Sequence, residues 1–136
     1  MLRTPLLLGS TLAFLGVGLG AFGAHALRAR LAPEMLAVYQ TGVQYQMLHA
    51  LGLILIAALA DRLDAAPLVR LAYTLMAAGV ALFSGSLYAL ALSGLRLLGV
   101  ITPLGGLCFL SAWFLLLLAA YRQGAGPSEG ARRPAG

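Results

Sequence analysis

Four long apolar runs, separated by short stretches that hold nearly all the charge, set the pattern of this chain. They cover residues 5–24, 42–60, 68–92 and 103–121. A helix needs about 20 predominantly apolar residues to cross a hydrocarbon layer about 30 Å thick. Inside such a layer backbone polar groups find no water, so each run must close its own hydrogen bonds as a helix. The pattern predicts an all-α fold, a four-helix transmembrane bundle built from residues 1–121.

The polar positions punctuate the runs. Pro33-Glu34 reads as a helix start, with proline at the first position and a carboxylate in the first turn. The second helix then begins before the membrane and carries its first two turns at the interface. Asp61-Arg62-Leu63-Asp64 ends it in water, Pro67 opens the third helix and Ser93-Gly94 closes it. Thr102-Pro103 reads as an N-cap followed by proline at N1. The link 95–101 is apolar for a loop, with Arg96 as its one charge, and is expected in the interface or folded back on the bundle. Residues 122–136 hold no large apolar side chain. Such a segment cannot bury enough surface to offset its ordering entropy, which predicts a short, disordered C-terminal tail.

Composition strengthens the membrane reading. Of 136 residues, 61% are hydrophobic and 10% charged, with mean hydropathy +0.93. A soluble domain is about 25% charged, so too little polar surface remains here for a water-exposed exterior. All nine basic residues are arginines, spread over the termini and connections, which argues against nucleic-acid binding and for flanking the spans. Arg3, Arg62, Arg70, Arg122, Arg132 and Arg133 fall on one side and Arg28, Arg30 and Arg96 on the other. The excess predicts a multi-pass protein of the bacterial plasma (inner) membrane with both termini cytoplasmic. Arg3, an apolar run and Ala24-His25-Ala26 also resemble a secretory signal, but the run exceeds an h-region of about 7–15 residues. The single cysteine, Cys108, excludes an internal disulfide and reads as a small core residue.

One dense polar cluster borders a span, from Tyr39 through Thr41, Gln44, Tyr45 and Gln46 to His49. Thr41, Tyr45 and His49 form an i, i+4, i+8 line, which should turn toward the bundle because unpaired polar groups in hydrocarbon are costly. Ser84, Ser86 and Tyr88 on the third helix, and Thr102 and Ser111 on the fourth, are candidate partners. Either these groups hydrogen-bond between helices, at about 0.6 kcal/mol each and about 1.7 at most, or they line a polar path through Thr41, Gln44, Tyr45, Gln46, His49, Ser84 and Tyr88. His49 lies about 10 Å along its helix from Gly42, and His25 looks too shallow to join it as a haem ligand. Small residues form two stripes: Gly9, Ala13, Gly16, Gly20, Gly23 and Ala24 in the first helix, and Ala77, Ala78, Ala81, Gly85 and Ala89 in the third. Such stripes let backbones approach within a bundle, or between copies. The literal GxGxxG at 18–23 lies inside a span, without the βαβ unit that a dinucleotide site needs.

No aspartate, glutamate or arginine lies mid-span, and there is no HExxH, paired-cysteine site, Walker loop or nucleophile–base–acid set. The expectation is a non-enzyme without metal or cofactor. At Gly20-Ala21-Phe22-Gly23-Ala24-His25-Ala26-Leu27, Tyr39 to Leu51, Phe83-Ser84-Gly85-Ser86-Leu87-Tyr88 and Gly99-Val100-Ile101-Thr102-Pro103-Leu104-Gly105-Gly106, the chain resembles the YgdD/YwdK-like family of small inner-membrane proteins, a domain of unknown function. The likeness runs from the first helix to Trp113 and leaves out the tail after Tyr121. It implies a four-helix integral membrane protein and supplies no activity or catalytic residue. It directs attention to Gly16, Gly20, Gly23, His25, Thr102, Pro103, Gly105 and Gly106 beside the polar cluster. The preferred function is a non-enzymatic protein that packs with itself, with lipid or within a larger membrane complex. The alternatives are a passive small-solute channel or facilitator, and a haem- or lipid-binding membrane protein.

Overall fold

A computed structural model describes residues 2–63 and 66–124. Four helices dominate: α1 (Arg3–Phe22), α2 (Pro33–Leu59), α3 (Ala66–Ser93) and α4 (Thr102–Gly124). Each is long and apolar enough to cross a bilayer. The four-helix transmembrane fold expected from the apolar runs is the one observed.

The turns follow local chemistry. Pro33 stands at the start of α2 with Glu34 in its first turn, where neither the missing N–H nor the negative charge is unfavourable. Gly94 ends α3 with φ of 73°, the left-handed conformation that glycine adopts without a Cβ clash. The apolar link folds into a 3-10 turn, Arg96–Val100, against the adjoining ends of α3 and α4. Its Leu97 and Val100 stay exposed, beside the lipid-facing surface.

Two boundaries differ from expectation. Thr102 is not a capping residue: its hydroxyl shares a 2.8 Å hydrogen bond with Ser86 Oγ, so the side chain ties α4 to α3 instead. Helix α4 continues through Gly124, past the expected start of the tail, and Gln123 Nε2 donates to the Arg62 carbonyl at the same end of the bundle. The remainder of the expected tail, 125–136, and Asp64 lie outside the described residues.

Consecutive helices run antiparallel, with principal backbone seams α1–α2, α2–α3 and α3–α4 and no comparable seam between α1 and α4. Glycines set the first seam: Gly9 meets Ala50 and Ile54, Gly16 meets Met47, Gly20 meets Val43 and Gly23 meets Tyr39. In lipid no hydrophobic drive joins helices, so such close contact supplies the attraction. The stripe expected on α3 does not act in this way. Ala81 is exposed, and a Cβ on Gly85 would meet nothing within 4 Å. The buried face of α3 carries Ala72, Met76, Val80, Ser84 and Leu87 instead.

Two apolar clusters occupy the ends of the bundle. Leu53, Ile56, Val69, Met76, Ala112 and Ala119 form one, and Leu27, Tyr39 and Ala91 the other. Between them lies a layer of polar and aromatic side chains.

Candidate functional site: a polar and aromatic layer with a lateral groove

Helix α2 supplies the centre of this layer. Gln46 and His49 are both buried, one turn apart on the face toward the bundle. Gln46 donates from Nε2 to the Leu12 carbonyl of α1 at 2.8 Å and accepts from the Tyr88 hydroxyl of α3 at 2.8 Å. One amide therefore links three helices. The Tyr88 ring packs on Tyr39, with centroids 5.0 Å apart, and Tyr39 donates to the Leu19 carbonyl at 2.9 Å. Tyr39 also lies against Gly23, where a Cβ would come within 2.7 Å of its ring. At this point α1 widens into a π-turn, Gly23–Leu27, which carries the exposed His25 and closes with Arg28 N–H on the Gly23 carbonyl at 3.1 Å.

His49 is held on three sides. Its Nδ1 lies 2.7 Å from the Tyr45 carbonyl, and its Nε2 lies 3.3 Å from Trp113 Nε1 on α4. A carbonyl only accepts and an indole N–H only donates, so the ring is the neutral tautomer with its proton on Nδ1. Phe109 stacks on the imidazole, with centroids 3.5 Å apart and planes 10° apart. Tyr45 stacks on Phe83 at 4.4 Å. Both imidazole nitrogens are engaged within the chain, which leaves His49 no lone pair for a haem iron and gives the haem alternative no support. Among the described residues no cluster of three histidine, cysteine or acidic side chains could hold a metal ion.

Beside these rings a groove of about 650 Å³ opens toward lipid, with Tyr45, Leu48, His49, Phe83, Phe109 and Trp113 among its lining residues. Pro103 and Gly106 also line it, so it extends about 15 Å along α4 from Pro103 to Trp113, at 1.5 Å per residue. Its volume falls within the roughly 300–1,000 Å³ of ligand pockets. Tyr45 and Trp113 remain 37% and 40% exposed, so aromatic surface faces the groove.

The expected path residues do not all converge. Thr41 is exposed and satisfies its hydroxyl on its own helix, at the Ala37 carbonyl, 3.0 Å away. Gln44 is exposed as well. The line Thr41–Tyr45–His49 thus turns outward toward the start of α2, and only His49 is buried. Thr41 needs no bundle partner, because a helical carbonyl one turn away accepts its proton. Ser84 is buried, and its Oγ has no hydrogen-bond partner among the described residues. Gly105 packs onto the Phe83 backbone and Gly106 lies against the Phe83 ring, which brings this pair of α4 to the groove. Phe109 and Trp113 were not among the sequence candidates. The available signal was their spacing: Gly105, Phe109 and Trp113 form an i, i+4, i+8 line, and a tryptophan mid-span is far from the interface it usually prefers.

Comparisons with known proteins agree with this architecture. Residues 19–106 match the family described as "Protein of unknown function (DUF423)". The chain is 50% identical over 121 residues to the UPF0382 membrane protein YwdK of Bacillus subtilis, covering 89% of this chain and 98% of that protein. It is 42% identical to the UPF0382 membrane protein SH2409 of Staphylococcus haemolyticus, covering 86% of this chain and 94% of that one. It is 40% identical to the UPF0382 inner membrane protein YgdD of Escherichia coli K12, covering 88% and 91%. No solved structure matches the chain.

Proposed function

The chain belongs to the DUF423 family of membrane proteins, and from that premise we propose a non-enzymatic binding protein of the bacterial plasma membrane that seats a lipid-phase molecule in the groove between α2 and α4. The observation that carries this reading is the groove itself, where partly exposed Tyr45 and Trp113 flank the buried stack of His49 on Phe109. The polar groups deeper in the bundle are occupied with one another, as Gln46 with Tyr88 and His49 with Trp113. They hold helix register; they do not form a continuous polar path, so the facilitator reading gains no support. The Tyr45 hydroxyl makes no hydrogen bond to the described residues, and an apolar guest with a carbonyl acceptor would complete it. The name of YgdD places that relative in an inner membrane, which supports the same location here. The arginine excess on the side of Arg3, Arg62 and Arg70 supports cytoplasmic termini.

Trp113 is the only tryptophan and stands in the groove, so its fluorescence tests the reading directly. Lipid with bromine on its acyl chain, titrated into the detergent-purified chain, should quench Trp113 to saturation with one-site behaviour. Quenching that rises without saturation would mean ordinary lipid contact and would remove the proposal. Leu48→Trp in a Trp113→Phe background repeats the measurement from the opposite wall.

A further inference from the structure

Every helix carries an arginine at the end of the bundle opposite the Pro103 end of the groove: Arg3 on α1, Arg62 just past α2, Arg70 on α3 and Arg122 on α4. Arg70 differs from a merely flanking charge because it lines a cavity. A hollow of about 540 Å³ lies between the start of α1, the end of α2 and the start of α3. One part of its wall is polar, with Thr4, Asp61, Arg70 and Tyr73, and another is apolar, with Leu2 and Val69. A second hollow of about 390 Å³ shares Ala66 and Arg70 with it, so Arg70 borders both recesses. Arg70 lies only about 6 Å along α3 from its first residue, at 1.5 Å per residue, which is headgroup depth.

We propose that this cavity binds the phosphodiester headgroup of a glycerophospholipid, with the Arg70 guanidinium on the phosphate oxygens and the first carbons of an acyl chain against Leu2 and Val69. A planar guanidinium matches two phosphate oxygens at once, and the hydroxyls of Thr4 and Tyr73 add donors on the same wall. The adjoining apolar wall has no use for a free ion and fits an amphiphile. This site is at the other end of the molecule from the groove and does not depend on it.

The test is native mass spectrometry of the full chain in detergent, stripped of lipid and titrated with phosphatidylglycerol or with diacylglycerol of the same chains. The expected result is a phosphatidylglycerol adduct that diacylglycerol does not form at equal concentration. Arg70→Gln should weaken that adduct about tenfold or more, the scale of a charge-assisted phosphate contact. Arg62→Gln removes an equal charge at the same end without touching the cavity and should leave the adduct unchanged. Equal weakening by both variants would reduce the site to diffuse charge and overturn the proposal. Displacement by inorganic phosphate at millimolar concentration would overturn the lipid assignment. Both arginines are exposed, so neither variant should disturb folding, and circular dichroism of each checks this. Trp113 quenching reports the groove separately and should not respond to Arg70→Gln.

Discussion

The indole N–H of Trp113 donates to Nε2 of His49 across 3.3 Å, from α4 to α2. This contact joins helices that share no major backbone seam, and it fixes the imidazole tautomer through the requirement that Nδ1 donate to the Tyr45 carbonyl. Trp113→Phe keeps a ring in place but leaves Nε2 buried without a donor. We expect a loss of about 1–2 kcal/mol, the desolvation cost of an unsatisfied acceptor, read as a lower midpoint of thermal unfolding in detergent. Nitrogen-15 spectra of the unsubstituted protein should show His49 protonated on Nδ1 and not on Nε2. The opposite tautomer would mean that the Trp113 contact is not a hydrogen bond.

Two serines only two residues apart on α3 should respond in opposite directions. Ser86 Oγ donates to the Phe83 carbonyl at 3.0 Å and then accepts from the Thr102 hydroxyl at 2.8 Å. Ser84 Oγ is buried with no partner among the described residues. Ser84→Ala should leave stability unchanged or raise it by up to about 1 kcal/mol, because it removes a hydroxyl that was desolvated without return. Ser86→Ala should lower stability by roughly 0.6–1.7 kcal/mol, the scale of interhelical hydrogen bonds in membranes. Chemical denaturation in mixed micelles would resolve the two signs. A clear loss at Ser84 would mean that its hydroxyl has a bound partner.

These contrasts show what a sequence can and cannot carry. The four spans were legible because lipid imposes one constraint on every residue in a run, so length and apolarity alone suffice. Pro33 and Gly94 were legible because their backbone restrictions are local. The layer around His49 was legible only in part. The polar stretch of α2 pointed to it, but the tilt of its face was off by one position: Gln46 is buried while Thr41 is exposed. Helical periodicity in an almost wholly apolar helix gives little contrast between faces, and the difference lies in which neighbour packs where. Phe109 is hard to single out for the same reason: its line with Gly105 and Trp113 runs through an apolar helix, where spacing alone does not say which face meets the imidazole. The stripe at Ala81, Gly85 and Ala89 reads equally as a face within the bundle or between copies; within the bundle Ala81 and Gly85 receive no close helix, because small residues permit close packing without requiring it.

Glycine substitutions should separate these two kinds of position. A Cβ on Gly105 would strike the backbone nitrogen and Cα of Phe83. Backbone cannot rotate away, so Gly105→Ala must push α4 from α3 and disturb the ring of Phe83, which packs on Tyr45. We expect a loss of at least about 2 kcal/mol, in the range of overpacking, together with weaker saturable quenching of Trp113. Gly85→Ala meets nothing within 4 Å and gains helix propensity of about 0.5–1 kcal/mol. Thermal unfolding of the pair should therefore move in opposite directions. Destabilisation by Gly85→Ala would indicate that a second copy or another protein packs on this face in the membrane.

The proposed topology has a quantitative basis in where arginines sit. Arg28, Arg30 and Arg96 lie on connections at one end, and Arg3, Arg62, Arg70 and Arg122 lie at the other. Arginine near span ends is retained on the cytoplasmic side, and acidic residues count little. A C-terminal fusion should therefore fluoresce as green fluorescent protein and stay inactive as alkaline phosphatase, which folds only after export. Arg62→Gln with Arg70→Gln shifts the balance among these helix-end arginines from four against three to two against three, and a measurable fraction of the fusion should then invert and show phosphatase activity. Phosphatase activity in the unsubstituted chain would reverse the orientation and place the Arg70 cavity on the outer leaflet. The physical reason to expect otherwise is that translocating each arginine at a span end opposes the membrane potential, at about 2.3 kcal/mol per charge for each 100 mV.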